Sequence, residues 1–328
     1  MGSALVRRLR SAGYNNLVLR THRELDLTEH HAVREFFDTE KPDYVFLAAA
    51  RVGGILANST YPAEFLSQNL FIQTNVIHEA FRSKAKRLLF LGSSCIYPKY
   101  AAQPIKEDDL LAGPLEPTNQ PYALAKISGI EMCWSYNRQY GTRFIAAMPT
   151  NLFGLADRYD LHDSHVIPAL IRKMHEAKMS QSTEVVVWGS GNVRREFLFA
   201  DDAADACVFL MSLTDDRIAP VLIHQERRPL INVGYGEDLT IREAAELIAK
   251  VVGFKGKLLF DTTKPDGTPR KLLDTSRLTT LGWKPQTTLY EGLQKTYRDF
   301  SKNIASGSQL GLSAAKVKSS NSTEFANL

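Results

Sequence analysis

The segment Leu88-Leu-Phe-Leu91, followed at once by Gly92-Ser-Ser94, decides the fold class. An apolar run without polar alternation is typical of a parallel strand that helices cover on both faces. A long helix is predicted after it at residues 122–140, and a second apolar run follows at Phe144-Ile-Ala-Ala-Met148. Strand, helix and strand in this order indicate a parallel sheet.

The same rhythm extends through the front half of the chain. We predict helices at residues 3–11, 30–39 and 64–84, and further strands at residues 16–20 and 44–50. Strands separated by helices in this way form one sheet with helices on both faces. The sequence therefore predicts an α/β fold with a doubly wound parallel sheet of the Rossmann type.

The pattern loosens after the second apolar run. A helix is predicted to begin near Ser164, with Asp163 or Ser164 as its cap and Pro168 in its first turn. A short strand is predicted at residues 184–188, and a further helix at residues 240–252. These elements indicate a smaller α/β domain that is interleaved with the first.

The predicted domain organisation has three parts. The Rossmann-type domain covers residues 1–155, with a returning segment near residues 196–220. The second domain takes residues 156–195 and 221–302. From residue 303 to residue 328 the composition turns to Ser, Ala, Asn and Gly without periodicity, which predicts a disordered tail.

Composition limits the classes of partner. The net charge is only +4 and the basic residues are spread along the chain, which favours local anion sites over a nucleic-acid surface. No apolar run approaches the roughly 18 residues of a membrane helix. The three cysteines, Cys95, Cys133 and Cys207, are too few and too scattered for a disulfide framework or a metal site. We therefore expect a cytoplasmic protein with reduced thiols and no bound metal.

The chain begins Met1-Gly-Ser-Ala-Leu5. A doubly wound domain opens with a strand and a glycine-rich turn, after which the N-terminus of a helix meets the pyrophosphate of a dinucleotide. Gly2 stands where the last glycine of such a turn belongs, and the strand and glycines that would precede it are absent. Either the chain is part of a longer protein, or translation starts upstream, or this is the first helix of another fold. Because the backbone amides of the missing turn would bind the pyrophosphate, a chain starting at Met1 is expected to bind the dinucleotide weakly.

A basic turn, Arg20-Thr-His-Arg23, follows the strand predicted at residues 16–20, and no acidic residue comes before Glu24. An acidic residue at this place binds the ribose 2′-hydroxyl of NAD, whereas basic residues accept the 2′-phosphate of NADP. His22 and Arg23 therefore favour NADP(H). A solvated basic turn without a ligand is the alternative.

Tyr122 and Lys126 lie four residues apart, on one face of the helix predicted at residues 122–140. An ammonium beside a phenol stabilises the phenolate, so the pair can exchange a proton with a carbonyl or hydroxyl oxygen. Ser93, at the end of the preceding strand, can hold that oxygen. A strand with terminal hydroxyls followed by such a helix is the active-site arrangement of short-chain dehydrogenases.

Cys95 follows the strand end directly. A buried cysteine is most often inert packing. The carboxyl edge of a doubly wound sheet is, however, where this fold binds ligands. A thiol there could act as an acid or base on a carbon that a neighbouring ketone makes acidic.

Several segments of the chain together resemble the GDP-L-fucose synthase family of extended short-chain dehydrogenases. They are residues 91–99, 47–55, 148–154, 164–170, 185–191, 195–198 and 264–273. The similarity spans Gly2 to about residue 300. It implies conversion of GDP-4-keto-6-deoxy-D-mannose to GDP-L-fucose, by inversion at C3 and C5 and then reduction of the C4 ketone with NADPH. It also implies a homodimer.

The resemblance implies a role for each matching residue. Cys95 and His165 would be the acid/base pair for the inversions, Tyr122 would protonate O4, Lys126 would tune Tyr122 and touch the cofactor ribose, and Ser93 would bind the substrate oxygen. The implied cofactor-binding residues are Gly2, His22, Arg23, Leu91, Gly92, Ser93, Ser94, Lys126, Pro149, Thr150, Asn151, Leu152 and His165. The implied GDP-binding residues are Lys173, Trp188, Arg195, Asp266 and Arg270. Lys173 as a solvated helix residue and Trp188 as a core residue are the alternatives.

Other functions fit the sequence less well. Nucleotide-sugar dehydratases carry Thr or Ser with Glu where this chain has Ser94-Cys95, and a 4-epimerase needs no pair of Cys95 and His165. The run Gly154-Leu-Ala-Asp-Arg-Tyr159 departs from the Gly-Pro-x-Asp-Asn-Phe run usual in the family. A catalytically impaired paralogue that serves as a nucleotide-binding or dimerising scaffold, or a related nucleotide-sugar epimerase, remains the alternative.

Overall fold

The computed structural model describes residues 1–161, 164–223, 225–264 and 266–305. The helices are α1 (Gly2–Ser11), α2 (His30–Glu40), α3 (Ile55–Thr60), α4 (Pro62–Arg82), α5 (Gln120–Tyr140), α6 (Val166–Met179), α7 (Ala200–Ser212), α8 (Asp215–Leu222), α9 (Ile241–Val252), α10 (Ser276–Leu281) and α11 (Leu289–Ala305). The strands are β1 (Tyr44–Leu47), β2 (Arg87–Leu91), β3 (Phe144–Pro149), β4 (Asn151–Phe153), β5 (Glu184–Trp188), β6 (Arg194–Phe199), β7 (Leu230–Val233), β8 (Asp238–Thr240), β9 (Lys257–Asp261) and β10 (Arg270–Lys271). None of the described helices is long and apolar enough to span a membrane.

The main sheet is parallel, with strand order β1-β2-β3-β7. Alternate residues of β2 point to opposite faces. Leu88 and Phe90 pack in one core with helices α2, α4 and α5. Leu89 and Leu91 pack in the other core with α1 and α7. The predicted doubly wound parallel sheet is therefore confirmed.

A second group of elements surrounds a separate core. Strands β4, β6, β8 and β10 form one small sheet, and β5 pairs with β9 in another. Helices α6, α9 and α11 contribute the apolar residues between them. Helix α9 begins where predicted because Thr240 and Glu243 form a capping box, in which each side chain accepts a hydrogen bond from the other residue's backbone. The domain boundaries proposed from the sequence stay a prediction.

The strand predicted at residues 16–20 is wrong. Residues 14–20 form no strand, and the side chains of Val18 and Leu19 are exposed. An apolar run becomes a strand only when a neighbouring strand pairs with its backbone. Within the described chain, β1 is the outer strand of the main sheet, and no strand lies between it and this segment.

Three element ends also differ from the prediction. Strand β1 ends at Leu47, three residues earlier than the predicted limit of residue 50. Helix α6 begins at Val166 with His165 as its N-cap, so Ser164 is not the cap, and Asp163 lies outside the described residues. Helix α11 continues to Ala305, so residues 303–305 are helical rather than part of a tail. The rest of the predicted tail, residues 306–328, lies outside the described residues.

Candidate active site

The site begins where β2 ends. A Cβ at position 92 would lie 1.9 Å from Cε of Met148, so glycine leaves the space that this buried side chain occupies. The next residue, Ser93, is extended, and its Oγ accepts a hydrogen bond from the backbone N–H of Cys95 at 3.3 Å. The side chain of Ser93 is also hydrogen-bonded with Tyr122 of α5. Ser93 therefore joins two of the predicted catalytic residues at the carboxyl edge of the sheet.

Lys126 lies one helical turn beyond Tyr122, as its spacing predicted. Its Nζ donates a hydrogen bond to the carbonyl oxygen of Leu91 at 2.8 Å and lies 5.9 Å from the centre of the Tyr122 ring. Burial lowers the pKa of Lys126 to about 7. Burial also raises the pKa of Tyr122 well above its ordinary value; the nearby Cys95 adds to this effect, and the hydrogen bond with Ser93 opposes it. The expected lowering of the tyrosine pKa is thus absent, and Tyr122 is held as a neutral phenol, which is the form that donates a proton.

The buried lysine gives a testable pH dependence of stability. The pKa of Lys126 falls from its ordinary 10.5 to about 7 on folding, so the unfolded chain binds more protons between these two values. The free energy of unfolding should therefore rise with pH across this window, by at most about 1.4 kcal/mol per pH unit. Lys126→Met should remove that rise, measured by urea unfolding at pH 7 to 10 without cofactor. Lys302→Met, at an exposed lysine, should retain it; equal slopes in all three proteins would contradict the prediction.

A cation reaches Cys95 from the small sheet that contains β6 and β10. Nζ of Lys271 lies 3.7 Å from Sγ of Cys95. In the parallel pair of β10 and β6, Lys271 is aligned with Arg195. Arg195 interacts electrostatically with Cys95; burial lowers the pKa of Arg195, while the nearby Cys95 and Asp266 raise it. Two positive side chains thus face the sulfur, and both stabilise negative charge on it.

Lys271 was not among the site residues predicted from the sequence, although it follows Arg270 in a segment that carried the resemblance. The signal that could have found it is strand alternation, since Lys271 and Arg195 point to the same side of their paired strands. A strand of two residues is too short for that signal to appear in the sequence.

Trp188 is the centre of a second cluster. It is 49% exposed, which rules out the alternative that it is a core residue. Nζ of Lys173 lies 5.0 Å from the centre of its ring, and Nζ of Lys264 lies 5.5 Å from it. Lys173 also donates to the carbonyl oxygen of Val186 at 3.2 Å, and burial lowers its pKa. Lys173 is therefore packed against the indole rather than freely solvated.

Asp266 connects this cluster to Arg195. Its carboxylate accepts a hydrogen bond from the backbone N–H of Ser190 at 2.8 Å, two residues beyond Trp188. Its carbonyl oxygen accepts one from the guanidinium of Arg195 at 3.3 Å. Four of the residues predicted to hold GDP thus form a connected band from the exposed indole to the guanidinium of Arg195, namely Lys173, Trp188, Asp266 and Arg195.

Arg270 is less available than the sequence predicted. Its guanidinium binds the carboxylate of Asp238, which also accepts a 2.9 Å hydrogen bond from Arg194. The side chain of Asp238 is only 4% exposed, whereas those of Arg270 and Arg194 are 44% and 40% exposed, so Arg270 is paired but not buried. A nucleotide contact through Arg270 stays a prediction.

Within the described residues no hydrogen bond joins the side chains of His165 and Cys95. His165 is the N-cap of α6 and interacts electrostatically with Asp157, whose pKa is raised chiefly by burial. Direct contact is not required of such a pair. Inversion of a carbon needs one group on each face of the sugar ring, so the acid and the base must be separated by the ring itself.

Among the residues predicted to bind NADP, Gly2 is the first residue of helix α1. His22 and Arg23 are exposed and can reach a ligand, whereas Arg20 is bound to Glu40.

The predicted cofactor residues 91–94 and 149–152 lie together at one end of the main sheet. Strands β2 and β3 are parallel neighbours, so the segments that follow them, residues 91–94 and 149–152, are adjacent. The side chains of Thr150 and Asn151 both donate to the carbonyl oxygen of Glu196, at 3.2 and 2.9 Å. These bonds fix the edge of the cleft.

Comparison with known proteins agrees with this geometry. Residues 1–221 match the family model described as the NAD dependent epimerase/dehydratase family. The chain is 57% identical to putative GDP-L-fucose synthase 2 of Arabidopsis thaliana, over 94% of this chain and 91% of that protein. It is 54% identical to GDP-L-fucose synthase of Escherichia coli (strain K12), over 92% of this chain and 94% of that protein.

Among solved structures, a GDP-mannoheptose C4 reductase from Campylobacter jejuni with NADP bound is 40% identical and superposes with a TM-score of 0.81, covering 92% of this chain and 94% of that one. The chain belongs to the NAD dependent epimerase/dehydratase family. Within that family, the resemblance to the GDP-L-fucose synthases that the sequence motifs predicted is confirmed.

Proposed function

We propose that this protein is a GDP-L-fucose synthase, which converts GDP-4-keto-6-deoxy-D-mannose to GDP-L-fucose with NADPH. One observation carries the proposal: two distinct proton-transfer groups meet where β2 ends. Cys95 with Lys271 forms the first, and Tyr122 with Ser93 forms the second. A reaction that both inverts carbons and reduces a ketone needs both groups, and the relatives from Arabidopsis thaliana and Escherichia coli carry this activity in their names.

The inversions use the acidity that the C4 ketone gives to its neighbours, C3 and C5. One member of the pair Cys95 and His165 removes the proton from such a carbon, and the electron pair moves onto the ketone oxygen. The other member returns a proton to the opposite face, and the ketone re-forms. The ammonium of Lys271, 3.7 Å from the sulfur, stabilises the negative charge that Cys95 carries when it has given up its proton.

The reduction uses the second group. Bound NADPH supplies the hydride for C4. Ser93 holds the ketone oxygen, and Tyr122 donates its proton to that oxygen as negative charge develops there. The raised pKa of Tyr122 keeps its proton in place until the oxygen can take it.

Substrate recognition is assigned to the band between Trp188 and Arg195. The exposed indole offers a stacking surface for the guanine base. Lys173, Arg195 and Arg270 supply positive charge for the diphosphate. Asp266 holds Arg195 and the backbone at Ser190 in place.

NADP(H) is the cofactor we assign, held by His22 and Arg23 at the 2′-phosphate and by the edge of the main sheet at the nicotinamide. The NADP-bound reductase among the solved relatives supports this choice. Free thiols at Cys95, Cys133 and Cys207 support a reducing compartment such as the cytoplasm.

The test is to incubate the purified protein with GDP-4-keto-6-deoxy-D-mannose and either NADPH or NADH. Oxidation of NADPH with formation of GDP-L-fucose, identified by NMR, is the expected result. Equal use of NADH would remove the roles of His22 and Arg23. A reduced sugar that keeps the manno configuration at C3 and C5 would make the protein a C4 reductase only, and no turnover would favour the scaffold.

We further propose a homodimer that forms through α4 and α5. These two helices pack against each other and present large apolar side chains outward, with Phe71 at 55% exposure and Leu124 at 41%. Exposed apolar residues on adjacent helices are typical of an interface.

Phe71→Glu should therefore shift the protein to a monomer, because a charge cannot be buried unpaired at such a surface. The mass in solution by light scattering after size exclusion measures this. Met179→Glu is the matched control, at an exposed apolar residue on α6, and should leave the mass unchanged. A wild-type monomer, or a Phe71→Glu dimer, would disprove the interface.

A further inference from the structure

Asn232 of β7 is a fully buried amide that binds two separate parts of the candidate site. Its Oδ1 accepts a hydrogen bond from the hydroxyl of Tyr97 at 2.6 Å. Tyr97 is itself buried and lies two residues after Cys95. The Nδ2 of Asn232 donates to the carbonyl oxygens of Ile105 and Asp274, at 3.0 and 3.1 Å. Asp274 lies three residues after Lys271, so one side chain contacts both the cysteine segment and the lysine segment.

The backbone that follows Lys271 is fixed by the chain around Ile105. The N–H of Ile105 donates to the carbonyl oxygen of Leu272, and the N–H of Asp274 donates to that of Ile105, both at 2.8 Å. The side chain of Gln103 accepts from the N–H of Leu272 at 2.9 Å. Lys271 is therefore carried by a segment that is held to residues 103–105, and Asn232 binds both segments.

The hydrogen bonds of Asn232 matter for the relative position of Cys95 and Lys271, because both residues lie in short elements. Cys95 lies in a single 3₁₀ turn at residues 94–96, and Lys271 lies in a strand of two residues. Elements of this length contribute few hydrogen bonds of their own, so their relative position depends on tertiary contacts. Both are tied to Asn232, which comes from a strand paired within the main sheet.

We propose that Tyr97 and Asn232 are positioning residues that set the contact between Nζ of Lys271 and Sγ of Cys95, and through it the rate of proton transfer at C3 and C5. The proposal rests on the function proposed above. It predicts that weakening the hydrogen bonds of Asn232 slows inversion and leaves the hydride-transfer group, Tyr122 with Ser93, unaffected. A purely structural role for the network predicts lower stability with both half-reactions affected equally.

Tyr97→Phe is the test variant because it removes only the hydroxyl. Tyr159→Phe is its matched control: Tyr159 is also fully buried, and within the described residues its hydroxyl has no hydrogen-bond partner. Inversion is measured as incorporation of solvent deuterium at C3 and C5 of the 4-keto sugar without NADPH. Hydride transfer is measured separately as single-turnover NADPH formation from GDP-L-fucose and NADP⁺, which requires no inversion.

We expect Tyr97→Phe to slow deuterium incorporation about 10- to 100-fold, as a displacement of about 1 Å of a catalytic group does. NADPH formation should stay within about twofold of wild type, and Tyr159→Phe should match wild type in both. Unchanged deuterium incorporation in Tyr97→Phe, or an equal fall in both half-reactions, overturns the proposal.

A second readout needs no sugar substrate. Cys133 and Cys207 are buried and Cys95 is partly exposed, so iodoacetamide should label Cys95 selectively. Alkylation of Cys95 should slow severalfold in Tyr97→Phe, because the ammonium that stabilises the thiolate is displaced.

In a Lys271→Met background, Tyr97→Phe should cause no further slowing of this alkylation. Additive slowing there would mean that Tyr97 does not act through Lys271. A wild-type protein that fails to incorporate deuterium would refute the proposed function, while alkylation would still test the contact.

Discussion

Cys95→Ser is expected to abolish inversion at C3 and C5 while leaving reduction at C4 in place. A hydroxyl is a far weaker acid than a thiol, so serine cannot exchange a proton with the carbon beside the ketone at neutral pH. The fold should be retained, because serine has almost the same volume and Cys95 is only partly buried. Deuterium incorporation into the 4-keto sugar should fall by about 10²- to 10⁴-fold.

The half-reaction at C4 provides the internal control for this variant. NADPH formation from GDP-L-fucose should continue in Cys95→Ser, since the pair of Tyr122 and Ser93 is intact. Cys207→Ala, at a buried thiol on α7, is the matched control and should incorporate deuterium at the wild-type rate. Full deuterium incorporation in Cys95→Ser would remove Cys95 from the mechanism and leave Lys271 as a candidate acid.

The main sheet could be predicted from sequence because its signals are local. Strand β2 lies at the predicted residues, and both its faces are covered, as the uninterrupted run Leu88 to Leu91 indicated. The same reasoning failed at residues 16–20, where Leu17, Val18 and Leu19 also form an uninterrupted apolar run. Both segments have a local preference for the strand conformation. A strand also requires a neighbouring strand, and the sequence of a segment does not specify whether that neighbour is present.

Some residues of the candidate site could likewise be predicted from the sequence, and others could not. Ser93, Tyr122 and Lys126 could be assigned because strand ends and helix spacing place them, and the structure brings them together. Lys271 could not, because its approach to Cys95 depends on contacts with residues more than a hundred positions away in the chain.

Trp188 illustrates an ambiguity that only the structure resolves. The run Glu184-Val-Val-Val-Trp188 has no polar alternation, so sequence does not tell which side faces out. In the structure the exposure alternates along β5, with Val185 and Val187 buried and Trp188 exposed. The register is set by the core under β5, and it turns the indole towards Lys173 and Lys264.

Tyr122→Phe should have the converse effect to Cys95→Ser: reduction is lost and inversion remains. The hydroxyl of Tyr122 is hydrogen-bonded with Ser93, and phenylalanine keeps the ring that packs edge-on against Phe65 at 6.2 Å. NADPH oxidation with the 4-keto sugar should therefore fall by about 10²- to 10⁴-fold, and deuterium incorporation at C3 and C5 should stay near the wild-type rate. Tyr136→Phe, on the same helix and hydrogen-bonded to His78 rather than to Ser93, is the matched control. A loss of both half-reactions in Tyr122→Phe would contradict this prediction. It would mean that inversion also depends on the phenol, because the charge on the ketone oxygen must be stabilised in both steps. The two proton-transfer groups would then have to be treated as one.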